Sequence, residues 1–129
     1  MSIENPRVLN VGQCGFDHRN ISHMLADHFG AEVTPAATAD EAVSAVRRGE
    51  YDLVLINRVF DVDGTSGLDL IQRLQEDEQT RATPAMLVSN FAAAQEAAVA
   101  LGARHGFGKD ALTTPNTRER LTAVLRGEA

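Results

Sequence analysis

The sequence predicts an α/β fold in which one five-stranded parallel sheet is doubly wound, with helices packed on both faces. Short β-type runs and amphipathic helical segments alternate five times along the chain, a pattern that requires right-handed crossovers and therefore a parallel sheet. One run, residues 52–57, holds four consecutive apolar residues, as expected for a strand covered on both faces. The length of 129 residues fits a single domain spanning residues 1–129.

The first strand and the first helix are predicted from a change in the period of the apolar residues. Residues 7–11 form a β-type run that stops at Gly12, and helical spacing then continues until Gly30. A second short strand is predicted over residues 31–34. The positions of the first helix that we expect to face the core are Ile21, Met24, Leu25 and Phe29.

The second helix has a specific start signal in the sequence. Thr38 and Glu41 are spaced as a capping box, in which the Thr hydroxyl accepts from the third backbone N–H and the Glu carboxylate reaches back. This helix is predicted to run through Arg48 and to end at Gly49. The buried strand at residues 52–57 follows, and the third helix after it is marked by Leu68, Ile71 and Leu74.

The last two strands are predicted over residues 85–89 and 104–108, on either side of an alanine-rich helix that ends at Gly102. Thr114 and Pro115 read as the N-cap and first residue of a fifth helix. We expect buried faces formed by Phe91, Ala94, Ala98 and Leu101 in the fourth helix and by Leu121, Val124 and Leu125 in the fifth.

Composition excludes several classes of function. The net charge of −6 argues against binding to the phosphate backbone of nucleic acid, which requires a clustered basic face. One cysteine, Cys14, cannot form an intramolecular disulfide, and the N-terminus lacks the basic start and apolar run of a secretion signal. No apolar stretch reaches the roughly 18 residues that span a bilayer, so we expect a cytoplasmic protein without membrane contact.

Candidate functional residues follow the predicted strands. In a sheet of order 2-1-3-4-5 the reactive crevice lies beyond the carboxyl ends of the strands, where strands 1 and 3 lead to helices on opposite faces. The residues at those ends are Gly12, Gln13, Asn57, Ser89 and Lys109.

These positions resemble the receiver domain of bacterial response regulators, a flavodoxin-like fold, and the resemblance runs from Arg7 to Leu125. Supporting motifs are Tyr-Asp-Leu-Val-Leu-Ile before Asn57, Gly-Leu at the start of the third helix, Pro84 before strand 4, and Gly102-Ala ahead of Lys109. The resemblance implies a role in two-component signalling and phosphorelay. In such a domain an acidic pair and an acceptor Asp hold Mg²⁺, and Ser or Thr and Lys contact the phosphoryl group.

The chain departs from that pattern at every carboxylate. Gly12 and Gln13 replace the acidic pair, and Asn57 replaces the acceptor. An amide is neutral and a poor nucleophile, so we expect no phosphorylation at Asn57, no tight Mg²⁺ site, no other cofactor and no catalytic residue. Only Ser89 and Lys109 remain of the expected set, which makes these five positions a vestigial phosphoacceptor site.

A buried ammonium without a carboxylate would be costly, so Lys109 needs an acceptor or access to water. The segment between Asn57 and Gly67 is about two residues longer than the family pattern, and it carries Asp61 and Asp63 as possible partners of Lys109. The alternative is that residues 63–65 form a turn with solvated acids.

Two features near the fifth strand also differ from the family. Gly106 stands three residues before Lys109, where receivers usually have an aromatic residue that reports activation. Phe107 next to it belongs on the inward side of the strand and should pack in the core. Asp110 follows Lys109 where the family has Pro.

A second resemblance gives an alternative function. Residues 59–65, Val-Phe-Asp-Val-Asp-Gly-Thr, look like the first motif of haloacid-dehalogenase-type phosphatases, in which Asp61 would be the nucleophile and Asp63 the general acid. That enzyme would need strand 3 to extend from Leu53 to Phe60, with Arg58 inside the sheet.

We therefore expect a receiver-like module that does not depend on phosphorylation and that acts by binding another signalling protein or a second copy of itself. The family implies contacts through the face formed by helix 4, strand 5 and helix 5. The alanine-rich stretch of residues 91–101 on this face allows another helix to approach closely.

Overall fold

The structure is a computed structural model, which describes residues 5–126. The chain alternates strands and helices as expected, and none of the helices in the described part is both long and apolar enough to cross a bilayer. The elements are β1 (Arg7–Val11), α1 (Gly15–Phe29), β2 (Glu32–Ala36), α2 (Ala39–Arg47), β3 (Leu53–Asn57), α3 (Gly67–Glu76), β4 (Ala85–Val88), α4 (Ala92–Ala100), β5 (Arg104–Phe107) and α5 (Pro115–Leu125), with a 3₁₀ turn over Lys109–Ala111.

The five strands form one parallel sheet in the order β2-β1-β3-β4-β5, which confirms the predicted fold class. All residues of β3 are buried, because β3 is the central strand and both its faces are covered. The two faces carry separate apolar cores. Leu9, Val54 and Ile56 pack against α2, α3 and α4, whereas Val8 and Leu55 pack against α1 and α5.

Side-chain caps start three of the helices. The capping box at α2 is present, with the Thr38 hydroxyl accepting from Glu41 N and the Glu41 carboxylate accepting from the Thr38 backbone. Thr114 caps α5 by accepting from Thr117 N. Cys14 caps α1 through its Sγ, which accepts from Asp17 N at 3.4 Å. Each contact satisfies a backbone donor that the helix itself leaves free.

Two details of the elements differ from the sequence-based expectation. β2 continues through Pro35 to Ala36, which the sheet tolerates because β2 is an edge strand. Phe91, expected on the buried face of α4, is 60% exposed because it is the N-cap residue and lies outside the helix. Of the expected α5 face, Leu121 and Leu125 are fully buried and Val124 is partly buried.

Gln95 is a polar residue on the buried face of α4. Its side-chain Nε2 donates to the carbonyls of Leu87 and Ser89 at 2.9 and 3.1 Å, and its Oε1 accepts from Gly106 N at 2.9 Å. The residue is 4% exposed, so water does not compete for these bonds. The amide therefore fixes α4 to both β4 and β5.

Gln95→Ala should lower the free energy of unfolding by about 2–4 kcal/mol, because it removes three hydrogen bonds and leaves buried backbone groups unsatisfied. Urea denaturation followed by circular dichroism measures this change. Glu96→Ala, at the exposed neighbouring position, is the control and should change stability by less than about 0.5 kcal/mol. Equal effects of the two substitutions would contradict the structural role of Gln95.

Candidate functional site

The carboxyl ends of β3, β4 and β5 border a cleft of about 230 Å³. Asn57, Ser89 and Lys109 line it, so the structure brings together three of the five predicted positions. Gly12 and Gln13 do not line the cleft. The remaining lining residues are Arg58, Val59, Val88, Asn90 and Phe91.

The Asn57 side chain is a structural tie between two loops. Its Nδ2 donates to the backbone carbonyls of Gly12 at 2.9 Å and Val59 at 2.7 Å. Asn57 is 8% exposed; its bond to Gly12 is buried and its bond to Val59 is partly buried. The donors are amide N–H groups, which an ionised carboxylate lacks, so this geometry depends on the amide.

Gly12, the first of the two positions where a receiver has acidic residues, has no room for a side chain. Its φ of +77° lies in the left-handed region that favours glycine. A Cβ added there would lie 2.4 Å from Cδ1 of Phe60, whose ring is 1% exposed. The Phe60 ring therefore occupies the space where a side chain at position 12 would begin.

Phe60 is held there by the loop between β3 and α3. Its N–H donates to Thr65 O and its carbonyl accepts from Gly64 N, both at 2.9 Å. Asp61 N donates to Gly12 O at 2.9 Å, which fastens the loop to the end of β1. The loop is thus held by hydrogen bonds within itself and by one hydrogen bond to the end of β1.

The structure corrects the expected partner of Lys109. Its Nζ lies 2.8 Å from Oδ2 of Asp17, in the first turn of α1, rather than next to Asp61 or Asp63. The Asp63 carboxylate instead accepts from Thr65 N at 3.0 Å, as the turn alternative predicted. Hydrogen bonds from the Thr65 hydroxyl and N–H lower the pKa of Asp63. Asp61 is exposed at the loop surface.

Sequence reasoning missed Asp17 because it lies on a helix and not at a strand end. The short distance in sequence between the end of β1 and Asp17 could have indicated this partner, since a side chain in the first turn of α1 lies near the carboxyl end of β1. Asp17 thus supplies a carboxylate beside Lys109 from α1. The ion pair is only partly buried, with 32% and 23% of the two side chains exposed.

A polar group inside the sheet also connects to α1. Asn10 on β1 is 1% exposed, and its Nδ2 lies 3.1 Å from Nδ1 of His18. Burial lowers the pKa of His18, which favours a neutral ring whose Nδ1 accepts this bond. Within residues 5–126, Asn10 Oδ1 and both amide atoms of Gln13 are buried without a hydrogen-bond partner.

Around β5 the backbone leaves no space for the usual aromatic switch residue. A Cβ on Gly106 would lie 2.0 Å from Leu87 O, so only glycine fits. Phe107 is 2% exposed and packs in the core, as expected. Ser89 Oγ accepts from Phe91 N at 3.1 Å, and Asn90 Oδ1 accepts from Asp110 N at 3.1 Å, so both side chains support the neighbouring loops.

The residues at the carboxyl ends of the strands do not fit the magnesium ion that a receiver fold implies. Mg²⁺ takes hard oxygen ligands in octahedral geometry and is usually held in proteins by one or two carboxylates, whereas Gly12, Gln13 and Asn57 supply none. The Val59 carbonyl, where the family supplies a ligand, already accepts from Asn57. Within the described part of the chain no cluster of three or more His, Cys, Asp or Glu could hold a metal.

The strand that the phosphatase alternative needs does not form. β3 ends at Asn57, Arg58 is exposed, and Phe60 lies in the closed loop rather than in the sheet. Neither Asp61 nor Asp63 lines the cleft that contains Ser89 and Lys109. The two aspartates that the phosphatase alternative requires therefore lie outside this cleft.

No protein-family model and no curated protein matches the chain, but solved structures share its fold. A sensor protein from Polaromonas sp. JS666 has a TM-score of 0.79 at 20% identity, covering 96% of this chain and 98% of that chain. The receiver domain of sensor histidine kinase PA1611 from Pseudomonas aeruginosa PAO1, with magnesium in its active-site cleft, has a TM-score of 0.68 at 23% identity, covering 94% of each chain.

The chemotaxis response regulator CheY4 of Vibrio cholerae is about as similar to this chain as the PA1611 receiver domain is. Its TM-score is 0.67 at 22% identity, and the match covers 93% of this chain and 95% of that chain. These similarities show that the chain has the flavodoxin-like fold of receiver domains.

Comparing two glycine substitutions separates backbone strain from the contact with Phe60. Gly12 and Gly64 have nearly equal φ values of +77° and +74°, but a Cβ on Gly64 meets nothing within 4 Å. Gly64→Ala should therefore cost about 1 kcal/mol from strain alone. Gly12→Ala should cost at least about 2 kcal/mol more, because the Phe60 ring must move.

Both costs are measured by urea denaturation. Phe60→Ala, which leaves a cavity at a fully buried site, should cost about 3–5 kcal/mol. In the double variant Gly12→Ala/Phe60→Ala, the loss of unfolding free energy should be clearly smaller than the sum of the two single losses, because the methyl group at position 12 then meets no ring. Strict additivity would show that Phe60 does not occupy the space beside Gly12.

Proposed function

We propose that this chain is a pseudo-receiver module of a two-component-type signalling system, which acts by binding another protein and performs no phosphorylation or other chemistry. The observation that carries this proposal is the use of the Asn57 amide. Both N–H groups of its side chain are engaged with the carbonyls of Gly12 and Val59. A residue used in this way is part of the framework and is not available as an acceptor.

The chemistry of the residues at the carboxyl ends of the strands also supports a module without phosphoryl transfer. Phosphoryl transfer to a side chain needs a nucleophilic oxygen and cations that neutralise the developing charge. Asn57 has no such oxygen, and the single ammonium of Lys109 is engaged with Asp17. The Phe60 ring fills the space beside Gly12, so replacing one residue would not rebuild the missing site.

The partner that we propose is another signalling protein or a second copy of this chain, docked on the face of α4, β5 and α5. Exposed small or apolar side chains on α4 support this choice, because they let another helix approach closely. Ala98, on the opposite side of α4, is fully buried and belongs to the core. The exposed residues of α4 are Ala92, Ala93, Glu96, Val99 and Ala100.

A phosphodonor assay tests the absence of chemistry. The protein and Asn57→Asp are incubated with a small phosphodonor and Mg²⁺, and the intact masses are measured. We expect no added phosphoryl group on either, because the remaining carboxylates of a magnesium site are missing in both. A stable phosphoryl group on Asp61 would contradict the proposal, as would hydrolysis of a phosphate monoester that Asp61→Asn abolishes.

The stability of Asn57→Asp tests the structural use of the amide. At pH 7 the substitution should lower the free energy of unfolding by about 2–4 kcal/mol, because a carboxylate would face two carbonyl oxygens that it cannot satisfy. Near pH 4 the loss should be smaller, since a protonated carboxyl donates one hydrogen bond and carries no charge.

The control for this measurement is Asn20→Asp, the same chemical change at an exposed position of α1. It should shift the free energy of unfolding by less than about 0.5 kcal/mol at either pH. An Asn57→Asp variant as stable as the parent protein at pH 7 would show that the amide bonds are dispensable.

A further inference from the structure

A second cavity, of about 560 Å³, is bordered by the edge strand β2 and by α2, and we call it the β2–α2 pocket. Its volume lies in the range of sites that hold small organic ligands. Its apolar part is formed by Leu9, Ala36 and Ala45, which are buried and belong to the core on that face of the sheet. It shares no lining residue with the cleft at Lys109, and β2 lies at the opposite side of the sheet from β5.

Two residues that line the β2–α2 pocket, Pro35 and Tyr51, have flat rings. Tyr51 is partly buried and packs against the same apolar core. The Arg7 guanidinium lies 5.4 Å from the centre of the Tyr51 ring, and Arg7 also pairs with Glu50 at 3.7 Å. Packing and a cation–π contact therefore hold the Tyr51 ring in place before a ligand arrives. Flat, preformed apolar surfaces suit a planar aromatic ligand.

The β2–α2 pocket offers a ligand one cation. Three charged residues line it, namely Asp40, Glu41 and Arg48. The Asp40 carboxylate pairs with the Arg73 guanidinium at 2.9 Å, and the Glu41 carboxylate accepts from Ala37 N at 2.7 Å. Within residues 5–126 the Arg48 guanidinium takes part in no ion pair. Its positive charge is thus left for a group that enters the pocket.

This charge pattern favours a carboxylate over a phosphate. A guanidinium presents two parallel N–H groups that match the two oxygens of one carboxylate. A phosphate monoester carries up to two negative charges, so the carboxylates of Asp40 and Glu41 in the same pocket would repel it more strongly. The ligand that fits is therefore a monoanion with an aromatic body.

The free edge of β2 is poorly suited to a strand of another protein. The N–H of Glu32 and the carbonyl of Ala36 bond to the β1 side. Because backbone groups alternate in direction along a strand, those of Val33 and Pro35 point to the open side. Pro35 has no N–H, so only Val33 can donate there. A small molecule that needs no backbone pairing is thus favoured over an added strand.

We propose that the β2–α2 pocket binds a small aromatic carboxylate, whose ring lies on the apolar part beside Pro35 and Tyr51 and whose carboxylate pairs with Arg48. This inference goes beyond the proposed function, because it gives the module a ligand site apart from the face on which its protein partner docks. Binding at this pocket and phosphoryl transfer at the strand ends are measured separately, so either proposal can fail alone.

The probe for this proposal is naphthoate, and naphthamide is its uncharged counterpart of the same shape. Binding to the full chain is followed from amide NMR shifts at about physiological salt, which report both the affinity and the residues contacted. Naphthoate should bind with a dissociation constant of about 1 mM or lower, and its shifts should concentrate around β2, α2 and Tyr51. Naphthamide and naphthyl phosphate should each bind at least about fivefold more weakly than naphthoate.

Three substitutions separate the β2–α2 pocket from the rest of the surface. Arg48→Gln should weaken naphthoate at least about fivefold and leave naphthamide within about twofold, because only the carboxylate uses the guanidinium. Ser44→Phe, at an exposed position that lines the pocket, should abolish binding of both by filling the space. Arg19→Gln, which removes an exposed arginine of α1, is the matched control and should change neither affinity. Thermal melts check that the variants remain folded.

Several outcomes would overturn the proposal. These are the absence of saturable naphthoate binding, equal binding of naphthoate and naphthamide, and equal losses in Arg48→Gln and Arg19→Gln. Shifts that map to the cleft at Ser89 and Lys109 would place the ligand elsewhere and would also contradict it. Tighter binding of naphthyl phosphate than of naphthoate would replace the carboxylate with a phosphate ester as the ligand class.

Discussion

The side-chain amide of Asn57 joins the two loops at the carboxyl ends of β1 and β3, and the rest of the site depends on this contact. Asn57 Nδ2 donates to a carbonyl at the end of β1 through a buried bond and to a carbonyl in the loop after β3 through a partly buried bond. In a receiver that binds magnesium, the corresponding loops would be drawn together by a divalent cation and its carboxylates. Here a neutral donor joins two neutral acceptors, so the contact between the loops leaves no unpaired charge. The side-chain amide of Asn57 therefore ties the end of β1 to the loop after β3.

The other departures from the receiver pattern are consistent with that replacement. With no carboxylate at position 12, glycine can adopt a positive φ and the Phe60 ring can pack directly against it. The ring anchors the loop, and the loop places Val59 and Val62 at the surface. Lys109, which has no carboxylate at the strand ends, pairs with Asp17 on α1. These changes depend on one another, because a carboxylate at Gly12 would displace the ring that fixes the loop.

Local patterns in the sequence predicted the strands, the helices and the strand ends, because each rests on signals within a few residues, such as the capping box of Thr38 and Glu41. The strand order came instead with the doubly wound fold class. The site was less predictable. The Lys109–Asp17 pair joins residues far apart in the chain, and the insertion of Phe60 beside Gly12 depends on the path of a loop. Gln95 was missed because its three backbone partners belong to β4, β5 and the loop after β4, which no helical periodicity reveals.

The same contacts limit how such a module could be regulated. A conformational switch needs two arrangements of similar free energy and a ligand that prefers one of them. Gln95 ties α4 to β4 and β5, and Gly106 leaves no side chain there that could change its position. Gln95 thus connects α4 to the ends of β4 and β5 through three buried hydrogen bonds. Under the proposed function, control follows from whether a partner is present and how tightly it binds a preformed surface, and a signal is read as occupancy rather than as a change of shape.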